Sequence, residues 1–229
     1  MNTVKKIIPK YAIIPLISVF ILNLLTYYGT RLINKNCVHY DLSGMFDISL
    51  PFLPTFIIFY VIAYLQWFVG FILIARESRD LCYSMLTGEM IAKLITFIIF
   101  IIFPTTMARP EITGTGIFDK LTQLIYSIDT PDNLFPSIHC LGSWLCFRGA
   151  LEIKSIRKWY APLSLAVSIL VFLSTIFIAQ HALIDIPAGI IVAELGIIIS
   201  KLTRADRIFD WVNSKFMSID VRREPSLEQ

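Results

Sequence analysis

The sequence predicts an all-α, polytopic membrane protein in which six transmembrane helices form one bundle. The first observation behind this prediction is the composition, because 56% of the 229 residues are hydrophobic and only 16% are charged. A soluble domain averages roughly 45–50% apolar and about 25% charged residues. The second observation is a series of long apolar runs, and the third is the uneven distribution of Lys and Arg between the links that join them. Together they argue against a soluble chain and against a disordered one.

Six apolar stretches are long enough to be transmembrane helices, which need about 20 mostly apolar residues to cross roughly 30 Å of hydrocarbon. The first is interpreted as a span and not as a signal peptide, because no small-residue cleavage site follows it. No repeat or linker marks a second domain, so we expect residues 1–229 to form a single membrane domain. The six predicted spans lie near residues 11–30, 52–75, 86–104, 135–151, 161–180 and 184–201.

The distribution of positive charge predicts the orientation of the bundle, because Lys and Arg concentrate in cytoplasmic loops. Of the 20 Lys and Arg residues, 15 lie in the two terminal segments and around the links after spans two and four. Four lie in the links after spans one and three, and Lys93 lies inside span three. We therefore expect a cell-membrane protein with both termini in the cytoplasm. The loop over residues 105–134 and the turn near His181 then face outward.

Residues 202–229 form a polar cytoplasmic tail with scattered apolar side chains, among them Ile208, Trp211 and Phe216. The first half of this tail has the composition of an amphipathic helix that lies on the inner leaflet. A frayed tail fits the last ten residues about as well.

Charge and cysteine usage exclude several other classes of protein. The net charge of +3 is too small to indicate a nucleic-acid partner. The cysteines Cys37, Cys82, Cys140 and Cys146 show neither a C-x-x-C spacing nor a Cys/His ligand pattern. The sequence therefore predicts neither a disulfide framework nor a structural zinc site.

Ionisable groups at membrane depth are costly, so each is a functional hypothesis by default. Glu89 and Lys93 are four residues apart inside span three, in the order that favours a helical ion pair. Both are predicted near the cytoplasmic end of that span, where a lysine can extend to the interface. We interpret Lys93 as a structural residue on this basis.

The start of span four combines a helix N-terminus with a histidine. Asp132 or Asn133 is a suitable N-cap, and Pro136 suits the first helical position. Ser137 and His139 then fall in the first turn, where free N–H groups and the helix dipole favour an anion. His139 is therefore placed where a phosphate would bind, although a capped helix start with a solvated histidine explains this segment equally well.

The end of span five carries His181, and Asp185 follows four residues later. If the chain is helical there, the two side chains share a face and form a hydrogen bond. A carboxylate on one imidazole nitrogen fixes the tautomer and makes the other nitrogen a better nucleophile. The predicted topology brings His139 and Arg109 to the same face. These groups suit phosphoryl transfer, with the anion held by Arg109 and the helix start, and no carboxylate cluster indicates a metal site.

These residues give the sequence a resemblance to the type 2 phosphatidic acid phosphatase superfamily of six-span lipid phosphate phosphatases. Of its three signatures, the second stands here as Pro136-Ser137-Ile138-His139. The third stands as Ser174-Thr175, five residues, His181, three residues and Asp185, with Thr175 in place of the motif arginine. The first remains only as Arg109-Pro110, because its lysine position is Ile102. In these departures the sequence is similar to the branch of the superfamily that includes inositol phosphorylceramide synthases.

The resemblance implies a role for each matching residue. It makes His181 the nucleophile that forms a phospho-histidine, Asp185 its support and His139 the acid that protonates the leaving group. Arg109 and the hydroxyls Ser137 and Ser174 would bind phosphoryl oxygens.

From the family resemblance we expect an integral-membrane lipid phosphate phosphatase that needs no metal or cofactor and acts on a lipid phosphate in the bilayer. Two alternatives stay open. One is a phosphotransferase of the inositol phosphorylceramide synthase type, and the other is an inactive relative such as a lipid transporter.

Overall fold

The computed structural model describes residues 7–221, with side chains described up to residue 215. The described chain is mainly helical, and the helices follow apolar stretches because a helix satisfies its own backbone hydrogen bonds away from water. The helices are α1 (Ile13–Leu24), α2 (Thr30–Asn34), α3 (Met45–Ser49), α4 (Ile57–Glu77), α5 (Arg79–Ile102), α6 (Ile117–Ile128), α7 (Ile138–Glu152), α8 (Tyr160–Phe177), α9 (Asp185–Thr203) and α10 (Arg207–Val221).

Five helical segments of the described chain are long and apolar enough to cross a membrane, which confirms the all-α membrane class. They cover Lys10–Asn34, Pro54–Glu77, Arg79–Ile102, Tyr160–Phe177 and Asp185–Thr203. The remaining predicted span, span four over residues 135–151, corresponds to α7, which has only 15 residues. The count of six therefore stays a prediction. The third span begins seven residues earlier than residue 86, because Ser78 caps α5 by accepting the Leu81 amide at 3.1 Å.

Close backbone contacts fix α9 against its neighbours α5 and α7. A Cβ atom on Gly196 would lie 2.2 Å from the Gly88 carbonyl oxygen of α5. A Cβ atom on Gly189 would lie 2.6 Å from the Ser137 carbonyl oxygen, at the start of α7. Such contacts require glycine, since small residues let helix backbones approach each other in a membrane. The three helices therefore form the tightly packed part of the bundle.

The first span is packed less tightly and is irregular. Between α1 and α2 the segment Leu25–Gly29 is π-helical, a geometry often found near functional sites. Ile17, Ile21 and Leu25 on this span are exposed, as expected for side chains that face lipid.

Short elements cover the end of the bundle at which α7 and α9 begin, which we call the site end. The two-residue strand β1 (Tyr40–Asp41) pairs in parallel with β2 (Thr105–Thr106). The Thr105 hydroxyl accepts the amides of Leu134 and Phe135 at 2.9 and 2.8 Å. Together with α3 and α6 these contacts hold the loops over the helix ends.

The opposite end, which we call the tail end, is covered by α10. Asn213 donates to the Tyr83 hydroxyl at 2.6 Å, and Phe209 is buried against the bundle. Ile208 and Trp211 on the same helix are exposed. A helix therefore forms in the first half of the predicted tail. Residues 222–229, which include Arg222 and Arg223, lie outside the described residues, and so do Lys5 and Lys6 near the N-terminus.

Candidate active site

The turn between α8 and α9 carries His181, and its backbone explains why α8 ends before it. Ala179 adopts a left-handed conformation with φ of 48°. Its amide donates to the Ile176 carbonyl at 2.9 Å, and the Gln180 amide donates to the Thr175 carbonyl at 2.8 Å. This pair of bonds is a Schellman motif, which satisfies the last carbonyls of a helix and turns the chain. α8 therefore ends at Phe177, three residues before the predicted end of span five, and His181 lies in the turn that follows.

His181 and Asp185 form a hydrogen bond, although the residues between them are not helical. Nδ1 of His181 lies 3.0 Å from Oδ2 of Asp185, and the aspartate is 1% exposed. The same oxygen accepts the Ala182 amide at 3.1 Å, which holds the carboxylate in place. Because Nδ1 is engaged, Nε2 is the nitrogen of His181 that is left to react.

The start of α7 places His139 in the first turn of the helix, as predicted, but with a different cap. Ser137 is the N-cap, since its hydroxyl accepts the Cys140 amide at 3.3 Å. The predicted caps Asp132 and Asn133 are wrong because the helix begins only at residue 138. The cap and its first free amides therefore lie closer to His139 than the sequence indicated.

Aromatic side chains of α4 hold the ring of His139. Tyr60 stacks on the imidazole with ring centroids 4.1 Å apart, and the Tyr64 hydroxyl lies 3.4 Å from Nε2. The ring centroids of His139 and His181 are 6.0 Å apart. Both histidines are 8% exposed. The two imidazoles therefore border one largely enclosed space, where both can contact a single bound group.

Asp129 is a third carboxylate near the site, and the sequence analysis did not identify it. It accepts hydrogen bonds from the hydroxyls of Tyr27 and Tyr60, both at 2.5 Å. Burial by itself would raise the pKa of Asp129, but the charge of His139 and these two hydroxyls outweigh burial and lower it. Through these two bonds Asp129 links the first span, α4 and the site. Its position just after α6 gave no signal in the sequence, because the contacts are long-range.

Arg109 reaches the rim of the site through two hydrogen bonds. Its guanidinium donates to the Asp129 carbonyl at 2.6 Å and to the Gln180 side-chain oxygen. It also stacks over the ring of Tyr126, 4.3 Å from the centroid. Its Nε has no partner among the described residues. Arg109 is thus fixed to Gln180, the residue that precedes His181, and its Nε–H group is buried.

The two hydroxyls predicted to bind phosphate are already engaged in local bonds. Ser137 is the N-cap of α7, and Ser174 donates to the Val171 carbonyl at 2.7 Å inside α8. Both are fully buried, so their contact with phosphate stays a prediction. At the positions where the family has cations, Thr175 is buried and Ile102 is 72% exposed at the end of α5.

A cavity of about 590 Å³ extends from the two histidines between α1, α4 and α5. Most of its wall is apolar or aromatic. The side chains that line it include His139, His181, Asp129, Tyr27, Tyr64, Trp67, Leu16, Phe20, Leu24, Phe68, Phe71, Glu89 and Lys93.

The structural interpretation of Lys93 as a residue that extends to the interface is wrong. Lys93 is 2% exposed and Glu89 is 4% exposed. Because α5 begins at Arg79, both residues lie in the middle of the helix and line the cavity. Among the described residues they form no ion pair within 4 Å.

The imidazole and carboxylate groups of the site are spread out and not clustered. Within residues 7–221, no group of three or more His, Cys, Asp or Glu side chains is arranged to hold a metal ion. The carboxylates are instead bonded to protein groups, Asp185 to His181 and Asp129 to two tyrosines.

Fold and site together define a helical membrane protein with a His–Asp pair and a second histidine at one end of the bundle. The model of the PAP2 superfamily matches residues 51–199, which is more than half of the chain. The chain therefore belongs to the PAP2 superfamily, the type 2 phosphatidic acid phosphatases, and this confirms the resemblance. A comparison with curated proteins finds no match. Membership supports a phosphatase or phosphotransferase type of function on lipid phosphates, while the inositol phosphorylceramide synthase branch stays a prediction.

Proposed function

We propose that this protein is a lipid phosphate phosphatase that acts through a phospho-histidine on His181 at the outer face of the cell membrane. The observation that carries the proposal is the 3.0 Å bond between His181 Nδ1 and Asp185, next to the ring of His139. In this arrangement the nucleophilic nitrogen of His181 lies on one side of a space that a phosphate can enter, and His139, the general acid, lies on the other side.

The first step forms the covalent intermediate. Nε2 of His181 attacks phosphorus, the bond from phosphorus to the leaving oxygen breaks, and protonated His139 gives its proton to that oxygen. Asp185 stabilises the positive charge that develops on His181. Arg109 and the first amides of α7 stabilise the phosphoryl oxygens in the transition state.

The second step releases phosphate. Water attacks the phospho-histidine, neutral His139 takes the proton from that water, and the bond between phosphorus and Nε2 breaks. His181 returns to its starting state and His139 is again protonated. The cycle uses imidazole, carboxylate and guanidinium groups of the chain, so we expect activity to persist in EDTA.

A lipid substrate fits the cavity that begins at the histidines. Its apolar wall accommodates hydrocarbon chains, and the phosphate binds at the site end. The outer location of this end follows from the distribution of Lys and Arg, since 15 of the 20 fall on the other side.

Rapid quenching of the purified protein with a ³²P-labelled lipid phosphate tests the mechanism. We expect acid-labile label on His181 in the wild type and none in His181→Ala, while His39→Ala, in the loop before β1, labels normally. Vanadate, which mimics the pentacoordinate phosphorus, inhibits turnover. Phosphate on another side chain, or full activity of His181→Ala, overturns the proposal.

The cavity favours a second candidate, a phosphotransferase that passes the phosphoryl group to an alcohol or a lipid. Such an enzyme needs a space beside the phospho-histidine from which water is excluded, and the apolar cavity at His139 offers one. Incubation with inositol or ceramide decides between the two. Formation of a phosphodiester at the expense of free phosphate indicates a transferase, and free phosphate alone indicates a phosphatase.

A further inference from the structure

The chemistry proposed for the histidines does not use two charged side chains in the same cavity. Glu89 and Lys93 both line it, and both are more than nine-tenths buried. They lie on α5, whereas the catalytic groups lie on α7 and between α8 and α9.

Glu89 and Lys93 are four residues apart on α5 and their charges attract each other, but among the described residues the two groups are not in contact as an ion pair within 4 Å. Oε2 of Glu89 is enclosed and makes no hydrogen bond. The ammonium of Lys93 makes no hydrogen bond and no ion pair in the part of the chain that the structure describes, although its backbone carbonyl accepts from Thr26 at 3.5 Å. Buried charged groups whose hydrogen bonds are not satisfied are costly. Their presence in a cavity points to a ligand with matching polar groups.

The depth of this pair follows from the packing of α9. Gly189 contacts the start of α7 at Ser137, close to His139, and Gly196 contacts Ala92, next to Lys93. Seven residues separate the two glycines, which is about 10 Å along a helix at roughly 1.5 Å per residue. The backbone of Lys93 is therefore about 10 Å deeper in the bundle than the start of α7, and its long side chain reaches into the cavity between the two levels.

We propose that Glu89 and Lys93 bind the polar backbone of the lipid whose phosphate lies at the histidines, an inference that rests on the proposed function. Lys93 donates to a carbonyl or hydroxyl oxygen, and Glu89 accepts from an N–H or O–H group. The substrate class is a lipid phosphate with both a donor and an acceptor in its backbone, such as an amide and a hydroxyl. A polyprenyl phosphate does not match, since its chain has no polar atom beyond the phosphate.

The rest of the cavity agrees with this assignment. Leu16, Phe20 and Phe68 give the wall around the pair an apolar character that suits hydrocarbon chains. A free polar metabolite would leave this wall exposed to water, whereas a lipid covers it while its backbone meets the two charges.

The test compares a lipid phosphate whose backbone has N–H, O–H and carbonyl groups with two lipid phosphates that lack these groups. We measure kcat/KM of the full chain in detergent for an N-acyl sphingoid 1-phosphate, a dialkyl-ether glycerol phosphate of equal chain length and a polyprenyl phosphate. We expect kcat/KM for the amide- and hydroxyl-bearing lipid to be higher by about 10- to 100-fold. This factor corresponds to the free energy of one charge-assisted hydrogen bond.

Variants then assign the preference to this site. Lys93→Met and Glu89→Gln lower kcat/KM for the sphingoid phosphate by at least about tenfold and leave the two other lipids unchanged. The exposed residues Lys201 and Glu152 supply matched controls, since Lys201→Met and Glu152→Gln alter no substrate.

The possible failures are distinguishable. Equal loss on all three lipids shows a structural or phosphate-binding role and overturns the proposal, as does a wild type that accepts them equally. If no lipid is hydrolysed by the wild type, the proposed function itself fails. Thermal unfolding of each variant identifies misfolding. If Lys93→Met misfolds, Lys93→Gln replaces it. Because glutamine keeps a hydrogen-bond donor, Lys93→Gln must retain part of the preference for the sphingoid phosphate.

Discussion

The two halves of the site are built differently. The half formed by α7, α8 and α9 is closely packed, and its polar groups are tied to each other, as in the bond between His181 and Asp185. The half formed by α1, α4 and α5 encloses a cavity of about 590 Å³ and carries the buried Glu89 and Lys93, where Oε2 of Glu89 makes no hydrogen bond among the described residues. α1 runs into a π-helical segment and exposes large apolar side chains to its surroundings.

In the proposed mechanism this difference separates reaction from recognition. Groups that stabilise a transition state must be held in position before the reaction begins, since reorganisation would add to the barrier. Groups that bind a lipid along its length contact the ground state and the transition state alike, so they change KM more than kcat. Substitutions in the first half should therefore act on kcat, and substitutions in the second half on KM.

The largest expected effect in this comparison, apart from loss of the nucleophile, is that of Asp185→Asn. An asparagine keeps the shape of the side chain but does not stabilise the positive charge on His181, so kcat should fall by about 10²–10⁴. KM should change little. Steady-state kinetics on a lipid phosphate measures both constants, and a change confined to KM would contradict the assignment of Asp185 to the reacting half.

His139→Ala should have an effect that depends on the leaving group. Without a proton donor, an alcohol leaves poorly, so hydrolysis of a phosphomonoester should slow by about 10²–10⁴. A pyrophosphate lipid has a better leaving group and should lose much less. Equal losses on both substrates would show that His139 acts by positioning and not as the acid.

Much of this first half could be predicted from the sequence because its signals are local. The residues Pro136 to His139 and the spacing from His181 to Asp185 each lie within one short segment. A turn near His181 was predicted, but its geometry was not, since nothing in the sequence indicates that Ala179 takes the left-handed position that glycine usually occupies at the end of a helix.

The second half could not be predicted, because it depends on contacts between distant segments. Asp129 is bonded to Tyr27 and Tyr60, which are 102 and 69 residues away. The depth of Lys93 depends on where α5 begins, and hydropathy placed that start seven residues late. An apolar run predicts that a helix crosses the membrane, but not which of its faces borders a cavity.

Leu24→Trp tests the second half directly. Leu24 lines the cavity on α1, so the larger ring should occupy space that a lipid chain needs. We expect KM to rise about tenfold, the cost of displacing one or two buried methylenes at roughly 0.8 kcal/mol each, with kcat unchanged within a factor of two. Leu25→Trp is the matched control, because Leu25 is 53% exposed and does not line the cavity. A fall in kcat with constant KM would remove the distinction between the two halves.

The smallest expected effect concerns the turn that carries His181. A left-handed backbone costs a residue with a Cβ atom about 1–2 kcal/mol, a cost that glycine lacks. Ala179 bears this cost at φ of 48°. Glycine also gains about 0.4–1 kcal/mol of freedom in the unfolded chain, so Ala179→Gly should stabilise the protein by only about 0.5–1 kcal/mol.

At roughly 2–4 °C per kcal/mol for a chain of this size, Tm should rise by about 1–4 °C. Ala182→Gly, in the same turn but at a residue without positive φ, should lower Tm and serves as the control. Because the Schellman bonds stay in place, kcat of Ala179→Gly should equal that of the wild type. A fall in both Tm and kcat would instead show that the rigidity of Ala179, and not only the hydrogen bonds around it, holds His181 in its reactive position.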